Sequence, residues 1–309
     1  MIVNPKISTS SASLIERAAE IYNLRAAIQA PALSSVVATP AASIAGIKSP
    51  KHVSTPILLE GPLPFATGSG VATIDRNRLR DNGFIVPDAA PGSLAEEFRI
   101  VKRQLLLNAS GAATGKPLER GRMILVCSAQ PNDGKTFCAV NLALSLASER
   151  DTDVLLVDAD VAKPEILSTL GIEGGSGLMD ALQNPSIDVE QLIIRTNIPK
   201  LSVLAAGRQA NNDTEMLASA RTKHVLDGLA NNHPSRIIIF DSAPALAASP
   251  ASVLALNVGQ VVRADRTTES ELRDALALVD GCPNVCLLLN GSSYFGGNHS
   301  FGSYYGHGE

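Results

Sequence analysis

Apolar residues along this chain form short continuous runs that alternate with segments of helical spacing. The runs predict strands at 123–127, 153–158, 202–206, 236–241, 260–264 and 285–290. The segments between them predict helices at 135–148, 214–231 and 269–279. Continuous apolar strands separated by helices are typical of a parallel sheet covered on both faces. We therefore predict an open, doubly wound, mostly parallel α/β sheet, whose ligands bind at the carboxyl ends of the strands.

The pattern before the first strand is different. Residues 13–29 place apolar side chains at helical spacing, with Glu and Arg between them, and predict a short amphipathic helix. Residues 30–72 are rich in Ala, Pro, Ser, Thr and Gly, which is typical of a flexible linker. A second amphipathic helix is predicted at 93–109, with Ser93 and Glu96 as a capping box.

Four segments follow from these patterns. Residues 1–29 carry the N-terminal helix, 30–72 are the linker, and 73–290 form the ordered domain. Residues 291–309 are rich in Gly, Ser and Tyr and cannot bury a core, so we expect a flexible tail.

Composition narrows the class of protein. The 309 residues are 45% hydrophobic and 18% charged, which is enough for one full α/β core with residues left over. A formal charge of -4 and a pI near 5.8 lack the basic excess that nucleic acid requires, so we expect no nucleic-acid partner. The four cysteines lie in or beside apolar runs, which favours reduced, buried thiols over a metal site.

Targeting signals are absent from the pattern. The first residues, MIVNPK, lack the basic and apolar regions of a secretory signal. The longest apolar strings fall far short of the roughly 20 residues that a membrane-spanning helix needs. We expect a cytoplasmic protein whose association with a membrane runs through a partner.

Residues 128–136 (SAQPNDGKT) follow a predicted strand and open a predicted helix, the context in which G-x4-G-K-[ST] binds phosphates. Gly134 would let the backbone approach the phosphates, Lys135 would neutralise their charge, and the Thr136 hydroxyl would coordinate Mg2+. Ala129 stands where the first glycine of the strict pattern lies, and a chance GKT at an ordinary turn is the alternative. The predicted nucleotide-binding residues are Pro131, Asn132, Asp133, Gly134, Lys135, Thr136 and Phe137.

Three carboxylates end predicted strands near this loop. Asp158 and Asp160 follow one strand, where a metal ion and a nucleophile would both need anions. Asp241 ends another strand and would be a further Mg2+ contact. The alternatives are structural, with Asp160 capping a turn before Pro164 and Asp241 serving as a strand-end turn residue.

With these residues, the chain resembles the bacterial tyrosine kinases of exopolysaccharide synthesis, and within them the autokinases of exosortase and PEP-CTERM loci. The similar segments are SLIERAAE (13–20), PGSLAEEFRIVKRQLL (91–106), SAQPNDGKT (128–136), DADVAKP (158–164) and FDSAP (240–244). The resemblance implies a P-loop NTPase fold of the deviant Walker A type, as in the MinD and ParA proteins.

The same resemblance implies an ATP-dependent protein-tyrosine autokinase that uses Mg2+ and regulates exopolysaccharide synthesis or chain length. Lys135 and Thr136 would hold the β- and γ-phosphates and Mg2+, while Asp158 and Asp241 position the metal. Asp160 would accept the proton of the acceptor tyrosine. Asn290, at the end of the last predicted strand, would contact adenine. A membrane polysaccharide copolymerase would be the partner.

Two further features carry implications from the family. Glu96, Arg99 and Lys102 correspond to its E-x-x-R-x-x-R oligomerisation motif, with lysine in place of the last arginine. Residues three apart are helical neighbours, so a homo-oligomer contact is expected, and a solvated face with internal ion pairs is the alternative. The tail tyrosines Tyr294, Tyr304 and Tyr305 are the expected autophosphorylation sites, inserted into a neighbouring subunit. A Gly-rich tail with incidental aromatic residues is the alternative.

Some residues depart from the family pattern. Pro250 replaces an acidic residue that usually follows Walker B, the strand predicted at 260–264 is short, and the tail has few tyrosines. These departures leave open a nucleotide-binding scaffold with weak or no kinase activity. A partition or septum-placement ATPase is disfavoured because Ala129 and Gln130 stand where those proteins carry a signature lysine.

Overall fold

The computed structural model describes residues 2–3, 70–90, 92–112, 115–210, 212–247, 249–265 and 268–290. The predicted helix at 13–29, nearly all of the predicted linker and the tail after Asn290 lie outside these residues. The strands are β1 (Ile2–Val3), β2 (Met123–Cys127), β3 (Asp153–Ala159), β4 (Ile194–Arg195), β5 (Leu201–Leu204), β6 (Arg236–Ser242), β7 (Gln260–Asp265) and β8 (Val285–Leu289).

The described helices lie mostly between these strands. They are α1 (Arg76–Asp81), α2 (Ser93–Ser110), α3 (Lys135–Ala147), α4 (Ile166–Leu170), α5 (Leu178–Gln183), α6 (Asp213–Leu217), α7 (Ala220–Asn231), α8 (Pro250–Ala255) and α9 (Glu269–Leu278), with a 3-10 helix at Val189–Leu192. None of them combines the length and the apolar character that a membrane crossing needs.

One sheet contains all the strands of the described residues, in the order β1-β8-β7-β2-β6-β3-β5-β4. The two edge strands, β1 and β4, are antiparallel to their neighbours. All inner pairs are parallel. Ala72, the last residue of the predicted linker, already forms a parallel bridge with Thr196. The predicted mostly parallel, doubly wound sheet is therefore confirmed.

Side chains of the central strands alternate between two apolar layers, because successive residues of a strand point to opposite faces. In β2, Met123 and Leu125 pack into one layer, whereas Ile124 and Val126 pack into the other. Each such side chain contributes about 1.5–3 kcal/mol when fully buried, so both faces of the sheet drive folding. The four cysteines are free and buried within these layers, as predicted.

Several helix boundaries differ from the prediction. The predicted capping box of Ser93 and Glu96 is wrong. Gly92 occupies the cap position of α2 and makes no side-chain hydrogen bond, and the Glu96 carboxylate pairs with Arg99 at 2.9 Å. The helix predicted at 214–231 is two helices, because the Ser219 side chain accepts a hydrogen bond from the Thr222 N–H and starts α7. A serine at this position ends one helix and begins the next.

Strand β7, a departure from the family pattern, pairs fully with its neighbours in this sheet. It spans 6 residues, against 5 in each of its neighbours β2 and β8, and it pairs in parallel with both. Its parallel pairing on both sides is therefore kept, and its shortness relative to the family stays a prediction. Pro250, another departure, stands at the first position of helix α8, where proline costs no helical hydrogen bond.

Helix α2 is fixed to the end of α3 through Lys102. This side chain is 7% exposed, and its ammonium donates to the Ser145 carbonyl at 2.8 Å and to the Ser148 hydroxyl at 3.0 Å. It also pairs with the Glu149 carboxylate at 2.7 Å. A cation at a helix C-terminus satisfies carbonyls that lack a partner within the helix. Lys102 thus joins two packed helices within one chain.

Lys102→Met is expected to destabilise the protein by about 1–3 kcal/mol, because the Glu149 carboxylate loses its partner and the buried Ser145 carbonyl keeps only the Ser148 hydroxyl as a donor. Urea unfolding of the variant measures this change. Arg103→Met alters the exposed neighbour of Lys102 on the same helix and serves as the control. Equal stability of the two variants would contradict the anchoring role of Lys102.

Candidate functional site

Three strands bring the predicted site residues to one edge of the sheet. Val126 of β2 lies opposite Asp241 of β6, and Asp241 lies opposite Asp158 of β3. The loop at 128–136 leaves β2 just beyond this register and leads into α3. The Asp241 carboxylate therefore lies between β2, which leads into the phosphate loop, and β3, which leads to Asp158 and Asp160.

The loop at 128–136 has the shape of an anion-binding turn. Asn132 and Gly134 have φ angles of 67° and 91°, both in the left-handed region. The Asp133 carboxylate accepts a hydrogen bond from the Gln130 N–H at 2.9 Å and closes the turn from inside. Beyond Gly134, the first N–H groups of α3 have no partner within the helix and point toward the loop. Such backbone nests at a helix N-terminus bind phosphates.

Lys135 points from the start of α3 toward β3. Its ammonium lies 3.0 Å from the Asp160 carboxylate, and the two side chains are 9% and 4% exposed. The other Asp160 oxygen accepts the Lys163 N–H at 3.2 Å, so Asp160 also closes the turn before Pro164. The turn-closing interpretation of Asp160 is thus supported, and its role as a base stays a prediction. A nucleotide phosphate would compete with Asp160 for the Lys135 ammonium.

Asp158 and Asp241 are buried carboxyl groups with unusual protonation. Desolvation raises the pKa of each from 3.8 to about 7. One Asp158 oxygen accepts the Ile166 N–H at 3.0 Å, which opposes this rise. The Thr136 hydroxyl and the Lys135 ammonium lie near enough to Asp241 to lower its pKa in part. Even so, one Asp158 oxygen and both Asp241 oxygens complete no hydrogen bond with the described residues.

These orphaned oxygens fit a divalent cation. Buried polar atoms without partners are costly, and a cation would satisfy them. In the described chain, no three His, Cys, Asp or Glu side chains are placed as a complete metal site. Mg2+ is commonly held by one or two carboxylates together with substrate phosphates and water, so a complete protein cage is not required. Thr136, Asp158 and Asp241 are the residues of this chain that would hold it.

Two contacts at the loop were not predicted. The Gln130 side-chain amide donates to the Glu271 carboxylate at 3.1 Å, from the first turn of α9. The Asn290 amide donates to the Asp133 carbonyl at 3.0 Å. The sequence T-x-x-E at 268–271 is a capping-box signal that would have placed Glu271 at a helix start. Its contact with the loop has no sequence signal.

Other predicted site residues have mixed outcomes. The Phe137 ring packs on Phe84 with centroids 5.2 Å apart, so its side chain belongs to the core and its backbone is left for a nucleotide. Asn290 lies at the loop, and its adenine contact stays a prediction.

The expected shared face of the oligomerisation motif is wrong for Lys102, which is buried against α3. Glu96 and Arg99 keep that role as a prediction. The three tail tyrosines lie outside the described residues.

Comparison with known proteins finds similar sequences among bacterial tyrosine-protein kinases. No family model matches the chain. It is 29% identical to EpsB of Ralstonia solanacearum over 192 residues, 60% of this chain and 25% of EpsB. It is 28% identical to the tyrosine-protein kinase YwqD of Bacillus subtilis over 237 residues, 74% of this chain and 93% of YwqD. It is 29% identical to ExoP of Rhizobium meliloti, a succinoglycan biosynthesis transport protein, over 198 residues, 62% of this chain and 24% of ExoP.

The fold gives the same answer. The solved VpsO kinase domain superposes with a TM-score of 0.53 at 26% identity, covering 64% of this chain and 94% of that domain. The chain spans about a quarter of the length of EpsB and ExoP but nearly the whole of YwqD. The narrower likeness to exosortase-associated autokinases stays a prediction. By sequence and by fold, the chain is similar to bacterial tyrosine kinases.

Proposed function

We propose that this protein is an ATP-dependent protein-tyrosine autokinase that regulates exopolysaccharide synthesis or chain length. The observation that supports it most is the buried pair of Lys135 and Asp160 beside the orphaned oxygens of Asp158 and Asp241. The phosphate loop is then surrounded by a positively charged donor, Lys135, a candidate base, Asp160, and two carboxylates that could bind a metal ion. Positioning and charge stabilisation are the main requirements of phosphoryl transfer.

In the proposed reaction, a tail tyrosine hydroxyl attacks the γ-phosphorus of ATP in line with the β–γ bridging oxygen. The bond to that oxygen breaks and ADP leaves. Asp160 takes the hydroxyl proton once phosphate has drawn the Lys135 ammonium away from it. Lys135 and the N–H groups of the loop stabilise the charge that develops on the phosphate oxygens. Mg2+, when bound, neutralises charge on the β- and γ-phosphates.

A nucleotide-sensing scaffold with weak or no kinase activity is the second candidate. It is favoured by α8, which starts with Pro250 and has no acidic residue in its first turn, where the family usually carries one. Asp160 is also held by both Lys135 and the Lys163 N–H, which restrains it as a base. Nucleotide would then change the oligomeric state without chemistry.

Phosphotyrosine mapping separates these candidates. Purified protein is incubated with ATP and Mg2+, and modified tyrosines are located by mass spectrometry. We expect modification at Tyr294, Tyr304 or Tyr305, and its loss when all three are changed to Phe while Tyr22 is kept. Nucleotide-dependent oligomerisation without any phosphotyrosine would instead establish the scaffold.

We also propose a cytoplasmic location beside a membrane polysaccharide copolymerase. The matches to EpsB and ExoP cover about a quarter of each protein, and ExoP is named a transport protein. A role of ExoP in polysaccharide transport supports a membrane partner for this chain. Co-purification of the tagged full chain with a membrane copolymerase tests this partnership. If no complex exists, washing the membranes without detergent should remove the chain from them.

A further inference from the structure

We propose that Asn290 and Glu271 are positioning residues that hold the phosphate loop in its anion-binding shape. This inference rests on the proposed function, because it concerns how the same loop binds the triphosphate of ATP. Asn290 directly follows β8, and Glu271 lies in the first turn of α9, the helix that follows β7. Neither needs to touch the nucleotide for this role.

Asn290 fixes the peptide between Asp133 and Gly134. Its amide donates to the Asp133 carbonyl at 3.0 Å. The same nitrogen lies 2.1 Å from the point where a Gly134 Cβ would be, so the side chain fills the space that glycine leaves. Because the carbonyl of Asp133 and the N–H of Gly134 belong to one rigid peptide plane, holding the carbonyl outward holds the N–H toward the phosphates.

Glu271 fixes the other end of the loop. One of its oxygens accepts the Gln130 side-chain amide at 3.1 Å. The other oxygen accepts the Thr268 N–H at 2.9 Å and the Thr268 hydroxyl at 2.7 Å. A carboxylate can serve both sides at once, since it offers two acceptor oxygens. The loop is therefore tied to the capped start of α9 at Gln130 and to the end of β8 at Asp133.

These ties matter because the loop contains two left-handed residues in close succession, Asn132 and Gly134. Asparagine tolerates that region less well than glycine, so the surrounding contacts must hold it there. A loop fixed before the ligand arrives loses less entropy on binding. Releasing either tie should therefore weaken the binding of any triphosphate, whatever base it carries.

Binding of three probes tests the inference: ATP, GTP and inorganic triphosphate, each measured calorimetrically with Mg2+. Asn290→Ala is expected to weaken all three by a similar factor of about threefold to tenfold. Asn284→Ala, at the opposite end of β8, is the matched control and should leave all three unchanged. A loss confined to ATP would overturn the inference, because Asn290 would then read adenine.

Glu271→Ala provides a second, independent test. It should weaken the three probes together, whereas Glu269→Ala, which alters the neighbouring glutamate that pairs with Arg273, should not. Unchanged binding in both Asn290→Ala and Glu271→Ala would overturn the inference even if phosphotyrosine forms. A uniform loss of binding without phosphotyrosine would support it and reject the kinase instead. Wild-type protein that binds no probe would overturn both.

Discussion

Replacing Lys135 with methionine is expected to lower phosphotyrosine formation by at least about a hundredfold, the usual loss when one preorganised charge-stabilising donor is removed. The same change should destabilise the folded protein by about 3–5 kcal/mol, because it leaves the Asp160 carboxylate buried without its partner. Both side chains are less than a tenth exposed, so solvent does little to compensate. Phosphotyrosine is measured by mass spectrometry and stability by urea unfolding.

Two companion variants make this result specific. Lys163→Met removes a lysine of the same acidic motif that is 68% exposed and pairs with Glu165 at the surface, so it should change neither quantity. Lys135→Met combined with Asp160→Asn removes both charges and should recover much of the stability without recovering phosphorylation. Phosphorylation that survives Lys135→Met would reject the proposed chemistry, whereas unchanged stability would reject only the buried ion pair.

The central strands could be predicted from sequence because burial on both faces demands continuous apolar runs. The run at 123–127 matches β2 at both ends, and the run at 236–241 ends one residue before β6 does. Since strand ends carry the ligand site in such a sheet, Asp158, Asp241 and the loop were placed together by the same argument. Short elements such as α4 and α5 have too few residues to show a period.

Contacts between segments that lie far apart in the chain could not be predicted from the sequence. Lys102 shares its helix with Glu96 and Arg99, and spacing alone groups the three together. Its burial depends on Ser145 and Glu149, which approach it only when α2 packs on α3. The Asn290 amide likewise meets a carbonyl 157 residues earlier in the chain. Helical spacing shows which residues share a face but not which face meets the rest of the protein.

The nucleotide-free protein is expected to lose stability as the pH rises from about 5 to 8. Desolvation raises the pKa of Asp241 from 3.8 to about 7, and that of Asp158 from 3.8 to about 7. Between these values the unfolded chain has released protons that the folded protein still holds, so unfolding releases protons and stability falls with pH. The penalty begins near the unfolded pKa and is complete above the folded one.

Asp241→Asn should remove much of this dependence, because an amide stays uncharged at every pH in the range. At pH 8 we expect the variant to be on the order of 2–4 kcal/mol more stable than the wild type without nucleotide or Mg2+. At pH 5, only about one unit above the unfolded pKa, the difference should be less than half as large. Urea unfolding at pH 5, 6, 7 and 8 measures both values.

Asp153→Asn is the matched control, since Asp153 is an exposed carboxylate at the other end of β3. It should leave the slope of stability against pH unchanged. If Asp241→Asn also leaves the slope unchanged, burial does not govern the protonation of this carboxyl group. Asp241→Asn could both flatten the slope and abolish phosphotyrosine. The ionised Asp241 carboxylate would then be the group that destabilises the free protein and also the group that the proposed reaction uses. Stability would then be lower in the free protein because the site is built for a cation and a phosphate.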